Sequence, residues 1–332
     1  MHNLNGKRVL FFYLSTFGYE LEIQKAMERE GAYVDSYNER PTNNVFARVL
    51  IRLNRNLIHK YIDNYYNRIL EQVKDKKYDF IFFIKGESIS KCIIKKLRLA
   101  HPEAKIIIYY WDSIANNRNA KGILDSFDKV FSFDKKDCEK FNMKFLPLFY
   151  IKQYETIANK DVGEEYDMIF VGTTHSERYE FINEISEQIR AIGGKCFTWF
   201  YFPSKMSFYK LKWDNPNFRK AKIQDFHFVP MQRNLLLEYY TKSRIQIDMQ
   251  HPMQTGLTMR TIECLGAKKK LITTNEDVAN YDFYDPNNIL VVNREHPIIT
   301  SEFILSTWNE ISEDVYKKYS ISSWLNNIFS KD

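Results

Sequence analysis

Arg260 and Glu263 stand three residues apart in the stretch QHPMQTGLTMRTIECLGAKKKLITTN, residues 250–275. On a helix that spacing puts a forked cation and a carboxylate on one face, within reach of adjacent groups of one ligand. A guanidinium suits phosphate oxygens, and a carboxylate accepts from hydroxyls. Gly256 and its polar neighbours give a flexible crossing, and Thr258 can cap the helix that follows. The free N–H groups and dipole of a helix start favour anions. Thr255, Gly256, Leu257, Thr258 and Arg260 therefore gather at a phosphate-binding position, with Glu263 one turn on. An ordinary β-α-β unit with a solvated Arg and Glu is the alternative.

The elements that would position these residues follow from the apolar pattern. Residues 245–249 (IQIDM) read as a strand leading into the crossing. Met259, Ile262 and Leu265 give the helix a buried side, Gly266 lets it stop, and residues 271–274 begin a buried strand. Earlier, 7–14 (KRVLFFYL), 78–85 (YDFIFFIK), 105–111 (KIIIYYW) and 129–133 (KVFSF) are runs of the kind covered on both faces of a parallel sheet. Residues 146–150 read as the last strand of that series. Glu87 and Asp112 follow two of these runs, at the strand ends where a doubly wound sheet presents functional groups. Residues 151–165 are polar and aperiodic and read as a linker. A second β-α-β series opens at 166–171 (YDMIFV), continues as a helix over 179–192, and reaches a strand at 196–201 (CFTWFY). The expected class is α/β with two Rossmann-like domains. Their expected bounds are 1–155 and 156–305, with tail helices over 306–332.

The sequence GLTMRTIECLGAKKKLITTN resembles the donor-binding segment of GT-B glycosyltransferases. It is most similar to bacterial enzymes that build capsule and lipopolysaccharide, including the spore-maturation-type group. The resemblance implies two doubly wound domains facing across a cleft, with the final helix crossing back to the first. It implies that the helix start and Arg260 hold the diphosphate of a sugar nucleotide and that Glu263 takes the ribose hydroxyls. Glu263 matches the second of the two glutamates in the retaining pattern, and Thr255 stands where the first would be. The turn from Gly172 to Arg178 resembles the phosphate-side loop of the second domain. There Arg178 is the basic residue, and Thr173 and Thr174 are further donors. Residues 226–230 (FHFVP) resemble the segment that meets the nucleotide base, at Val229. Glu20, in the turn after the first strand, joins Asp112 and Glu87 as a candidate to take the acceptor's proton; each could equally be a structural cap. The implied reaction needs no metal and no cofactor beyond the sugar nucleotide. Its partners are that donor, a lipid-linked or oligosaccharide acceptor, and an anionic membrane surface. A sugar-nucleotide epimerase of the same architecture is the alternative, followed by a two-domain ligand-binding protein without catalysis.

Composition narrows the classes. Hydrophobic residues make up 44% and charged residues 27% of the 332, the balance of a globular chain. No run approaches the roughly 20 apolar residues of a membrane span, and none resembles a signal peptide. Four scattered cysteines without metal or redox spacing read as reduced, which gives a cytoplasmic expectation. The net charge of +6 suits a sugar nucleotide, an anionic bilayer or a nucleic acid alike, but no nucleic-acid motif is present. Residues 43–74 read as one long helix with Tyr61, Ile62 and Tyr65 on its apolar side. Its Arg48, Arg52 and Arg55 could orient the protein on a membrane. Residues 205–222 are basic and aromatic, and read either as lining of the cleft or as a surface excursion.

Overall fold

The apolar runs of the first half become six parallel strands in a computed structural model of the chain. They are β1 (Arg8–Tyr13), β2 (Tyr33–Asn38), β3 (Phe80–Ile84), β4 (Lys105–Tyr110), β5 (Lys129–Ser132) and β6 (Lys144–Phe145), in the order β2-β1-β3-β4-β5-β6. Residues 3–16, 18–41, 59–117, 119–160, 162–174, 177–250 and 256–330 are described. Arg48, Arg52, Arg55 and Thr255 lie outside them. Val9–Phe12 and Ile81–Ile84 are wholly buried, as central strands covered on both faces must be. Phe12 stacks on Phe83 at 4.6 Å and Phe11 on Phe82 at 5.5 Å. The covering helices are α1 (Tyr19–Arg29), α2 (His59–Val73), α3 (Lys91–Ala100) and α4 (Lys135–Phe141).

The second series forms its own parallel sheet from β7 (Tyr166–Thr173), β8 (Cys196–Tyr201), β9 (Phe226–His227), β10 (Ser243–Asp248), β11 (Lys270–Thr273) and β12 (Ile289–Val291). The order is β12-β11-β10-β7-β8-β9. Its helices are α5 (Lys152–Ala158), α6 (Arg178–Ala191), α7 (Lys205–Asp214), α8 (Arg233–Thr241), α9 (Met259–Ala267), α10 (Ser301–Leu305) and α11 (Glu313–Lys318). The last helix, α12 (Ile321–Ile328), belongs with the first sheet. Two compact units result: residues 1–148 with 321–332, and residues 149–320. In each sheet the strand order reverses beside the first strand, between β1 and β3 and between β7 and β10. These are the switch points where doubly wound sheets offer ligand crevices. Among the described residues no helix is long and apolar enough to cross a membrane.

Several local expectations change. Residues 146–149 make no strand; beyond β6 only Tyr150 forms a bridge, to Ser320. Half of the expected linker is helical, because Tyr154 and Ile157 give α5 a buried side. The Tyr154 ring meets Tyr240 of α8 edge-on at 5.3 Å. On α2 the buried stripe is Ile62, Tyr66, Ile69 and Val73, while Tyr61 is 47% exposed. Gly266 does not end α9. The helix runs on to Ala267, and Lys268 takes the left-handed cap at φ 50°. The glycine serves packing instead: a Cβ there would lie 2.5 Å from the buried Tyr150 ring.

Candidate functional site

The switch point of the second sheet collects three arginines. Arg178 opens α6 just past β7, Arg260 lies in the first turn of α9, and Arg294 follows β12. Each reaches back to backbone carbonyls at the strand ends. Arg178 donates from Nη1 to Thr173 O at 2.9 Å and from Nη2 to Met249 O at 2.5 Å. Arg260 donates to Ile247 O at 3.0 Å and to Val171 O at 2.5 Å, so it ties the ends of β10 and β7 together. Its guanidinium also lies over the Phe170 ring, 5.2 Å from the centroid. Arg294 donates to Gln250 O at 2.6 Å. Gly172 makes room for this cluster, since a Cβ would come within 3.0 Å of Phe170 and 3.4 Å of the Arg260 guanidinium.

Carboxylates answer part of this charge. Asp248, 4% exposed, acts on both Arg178 and Arg260, Glu263 acts on Arg260, and Glu177 Oε2 lies 3.9 Å from Arg294 Nη1. Burial pushes the Arg178 guanidinium down to about 10; Arg260 and Arg294 add to the fall and Asp248 opposes it. Burial also acts against the charge on Arg260, but its neighbours, Asp248 and Glu263 among them, outweigh it. The Arg178 Nε–H is buried and has no partner among the described residues. The same holds for the hydroxyl of Thr174, 2% exposed. A guanidinium carries five donors, so two carbonyl contacts leave Arg178 with donors to spare. Neighbouring arginines at a switch point, one with a spare buried donor, are an arrangement that can receive an anion.

The start of α9 adds its own donors. Thr258 caps it, accepting from Thr261 N and donating to Asp248 Oδ2 at 2.8 Å. Gly256 and Leu257 are buried just before the cap. Thr173 is exposed and uses its carbonyl on Arg178. Glu263 receives the Tyr240 hydroxyl at 3.2 Å. Gly172, Thr173, Thr174, Arg178, Gly256, Leu257, Thr258, Arg260 and Glu263 thus belong to one corner of the second unit. Val229 stands apart, 71% exposed after β9, the edge strand two places from β7. Reading the sequence missed Arg294 and Asp248. Both sit at or just beyond the ends of strands in the second series, and inspecting every strand end for charge would have found them.

In the first unit the three carboxylates occupy different strand ends. Glu20, 7% exposed, accepts from Thr16 N at 3.0 Å. Glu87, 3% exposed, is held by Arg40, whose Nε donates at 2.8 Å. Asp112 accepts from Lys85 Nζ and Asn116 Nδ2, each at 2.9 Å. Burial acts upward on Asp112, but Lys85 and Asn116 outweigh it and hold the carboxyl below its usual range. Reading the sequence also missed Glu39, fully buried after β2. Its carboxyl oxygens accept from Gly86 N and Glu87 N at 2.8 Å each, where Lys85 and Gly86 both take positive φ. No group of three His, Cys, Asp or Glu side chains that could hold a metal occurs among the described residues.

No family model matches the chain, and no curated protein matches it in sequence. Solved structures do match in fold. Anabaena Alr3699/HepE, in complex with UDP and glucose, has a TM-score of 0.55 at 8% identity, over 98% of this chain and 100% of its own. An alpha-glucosyltransferase in complex with UDP and a mismatched DNA has 0.53 at 14% identity, over 98% and 91%. UDP-GlcNAc 2-epimerase from Neisseria meningitidis has 0.52 at 11% identity, over 98% and 100%. The fold shared with these proteins is the GT-B type, with two Rossmann-like α/β units each built on a parallel six-stranded sheet.

Proposed function

We propose that this protein transfers a sugar from a nucleoside-diphosphate donor. The observation that carries the reading is the cluster of Arg178, Arg260 and Arg294 at the β7/β10 switch point, beside the start of α9. The diphosphate binds there, and Glu263 takes the ribose hydroxyls. UDP in the complexes of two proteins of the same fold supports this choice of ligand. As the sugar–oxygen bond breaks, the electron pair leaves with the diphosphate. The arginines then act on charge that grows in the transition state, with no metal required. The acceptor's hydroxyl oxygen attacks the anomeric carbon, and its proton passes to a carboxylate of the first unit. Asp112 is the choice, because it is held ionised and its side chain is 35% exposed, whereas Glu20 and Glu87 are 7% and 3% exposed. The finer reading places the reaction in surface polysaccharide synthesis, on a lipid-linked or oligosaccharide acceptor at the inner face of the membrane.

A sugar-nucleotide epimerase is the second reading, favoured by the epimerase of the same fold. It would use the same donor site without an acceptor. Incubation with a panel of UDP-, ADP-, GDP- and dTDP-sugars separates the two. Slow release of the nucleoside diphosphate is expected of the transferase, and sugar interconversion of the epimerase. If calorimetry detects no binding of any nucleoside diphosphate, both readings fall.

A further inference from the structure

Helix α7 is apolar on two sides. At about 100° per residue, Phe208 and Leu211 share one side, which is packed into the core of the second unit. Met206, Tyr209 and Trp213 fall within an arc of about 60° on the opposite side. They are 82%, 58% and 85% exposed, and Met206 and Trp213 are the two most exposed large apolar side chains described. Exposed single hydrophobes are ordinary, but three in register on one helix are not. Lys205 and Lys210, both exposed, flank the stripe on either side. The segment that follows adds exposed Arg219, Lys220 and Lys222. Residues 205–222 hold six basic residues and one acidic, which nearly matches the +6 of the whole chain.

From this pairing of an outward aromatic stripe with basic flanks we infer that α7 docks the protein on an anionic phospholipid bilayer. Tyr and Trp have an apolar body and a polar tip and suit the depth of the headgroups. Met206 supplies purely apolar surface beside them, and the lysines meet the anionic lipid. Lys212 is excluded from this role, because its ammonium is tied to Ala221 O at 2.6 Å. The inference rests on the surface of the second unit alone and does not need the sugar-nucleotide reading.

Co-sedimentation of the full chain with vesicles tests it. Two compositions are needed: phosphatidylcholine alone, and phosphatidylcholine with about a third phosphatidylglycerol. The parent should pellet with the second and remain in solution with the first, and added salt should release it. A Met206→Ser, Tyr209→Ser, Trp213→Ser triple variant should lose binding. A Lys205→Gln, Lys210→Gln variant should bind more weakly by about fivefold per lysine removed. All five side chains are exposed, so both variants should unfold at the parent's temperature, which confirms that the fold is kept. A parent that stays in solution with the anionic vesicles overturns the inference. So does a triple variant that pellets as the parent does, because some other surface would then be responsible. A dimer broken by the triple variant, without vesicle binding, would assign the stripe to a second copy of the chain and equally overturn it.

Discussion

At the scale of the residue, two groups of charges do different work. In the second unit Arg178 and Glu263 should separate the parts of one nucleotide. Arg178→Gln removes a buried Nε–H donor that has no partner among the described residues and should weaken UDP binding by about 1.5–3 kcal/mol while leaving uridine unaffected. Glu263→Gln should weaken both ligands by a similar amount, because the ribose is common to them. Calorimetry with the two ligands checks this; equal effects of Arg178→Gln on both would remove the diphosphate from that residue. In the first unit Glu39 is a pH element. Burial raises its carboxyl from 4.5 to about 8; the Gly86 N–H works against burial and the charge of Glu87 with it. Between those values the folded state keeps a proton that the unfolded chain has lost. The contribution is therefore fully present below about pH 4.5 and is lost as pH rises through about 8. Glu39→Gln keeps a neutral amide in place and should flatten this slope. The difference in unfolding temperature between parent and variant, followed from pH 5 to 9, should change steadily in the parent's disfavour. A constant difference across that range would show that Glu39 does not titrate.

At the scale of the element, Gly266 shows how packing decides what local pattern leaves open. A glycine near the end of an apolar periodic run is read as a stop, and here it sits inside α9 so that Tyr150 can approach. Helix propensity alone would make Gly266→Ala stabilising by up to about 1 kcal/mol. The added methyl would instead sit 2.5 Å from a tyrosine that is 1% exposed and bonded through its hydroxyl to Tyr316 O. Overpacking of this kind costs about 1–3 kcal/mol, so the variant should unfold at a lower temperature than the parent. An unchanged or higher temperature would restore the local reading. The strands were legible in the sequence for the opposite reason. Runs such as FIFFI and KIIIYY can only be covered on both faces, whatever lies around them. The short α5 was not legible, because its buried Tyr154 gains its partner, Tyr240, from α8, distant in sequence. The corner proposed for the donor was legible as a group where one helix carries it, through Thr258, Arg260 and Glu263. Arg294 escaped, since it joins that corner only after β12 has been laid beside β11.

At the scale of the whole molecule, the last dozen residues belong to the first unit although the chain between has built the second. Trp324 is 1% exposed and meets Tyr109 edge-on at 4.9 Å and Phe82 at 5.9 Å. Phe329 packs on Phe80 and Phe82 at 4.9 and 5.4 Å, and Lys129 Nζ donates to Ser330 O at 2.7 Å. The central strands β3 and β4 thus depend on α12 for one of their covers. Trp324→Ala should cost about 3–5 kcal/mol, a large share of the roughly 5–15 kcal/mol that holds a domain together. Its effect should be confined to the unit that the tryptophan serves. Amide exchange should quicken in β1, β3 and β4 and stay at the parent's rate in β7 and β10. Affinity for UDP should remain within about twofold of the parent's, because the arginine corner belongs to the other unit. Faster exchange in β7 and β10, or a matching loss of UDP affinity, would mean that the tail stabilises both units and that the two cores do not stand separately.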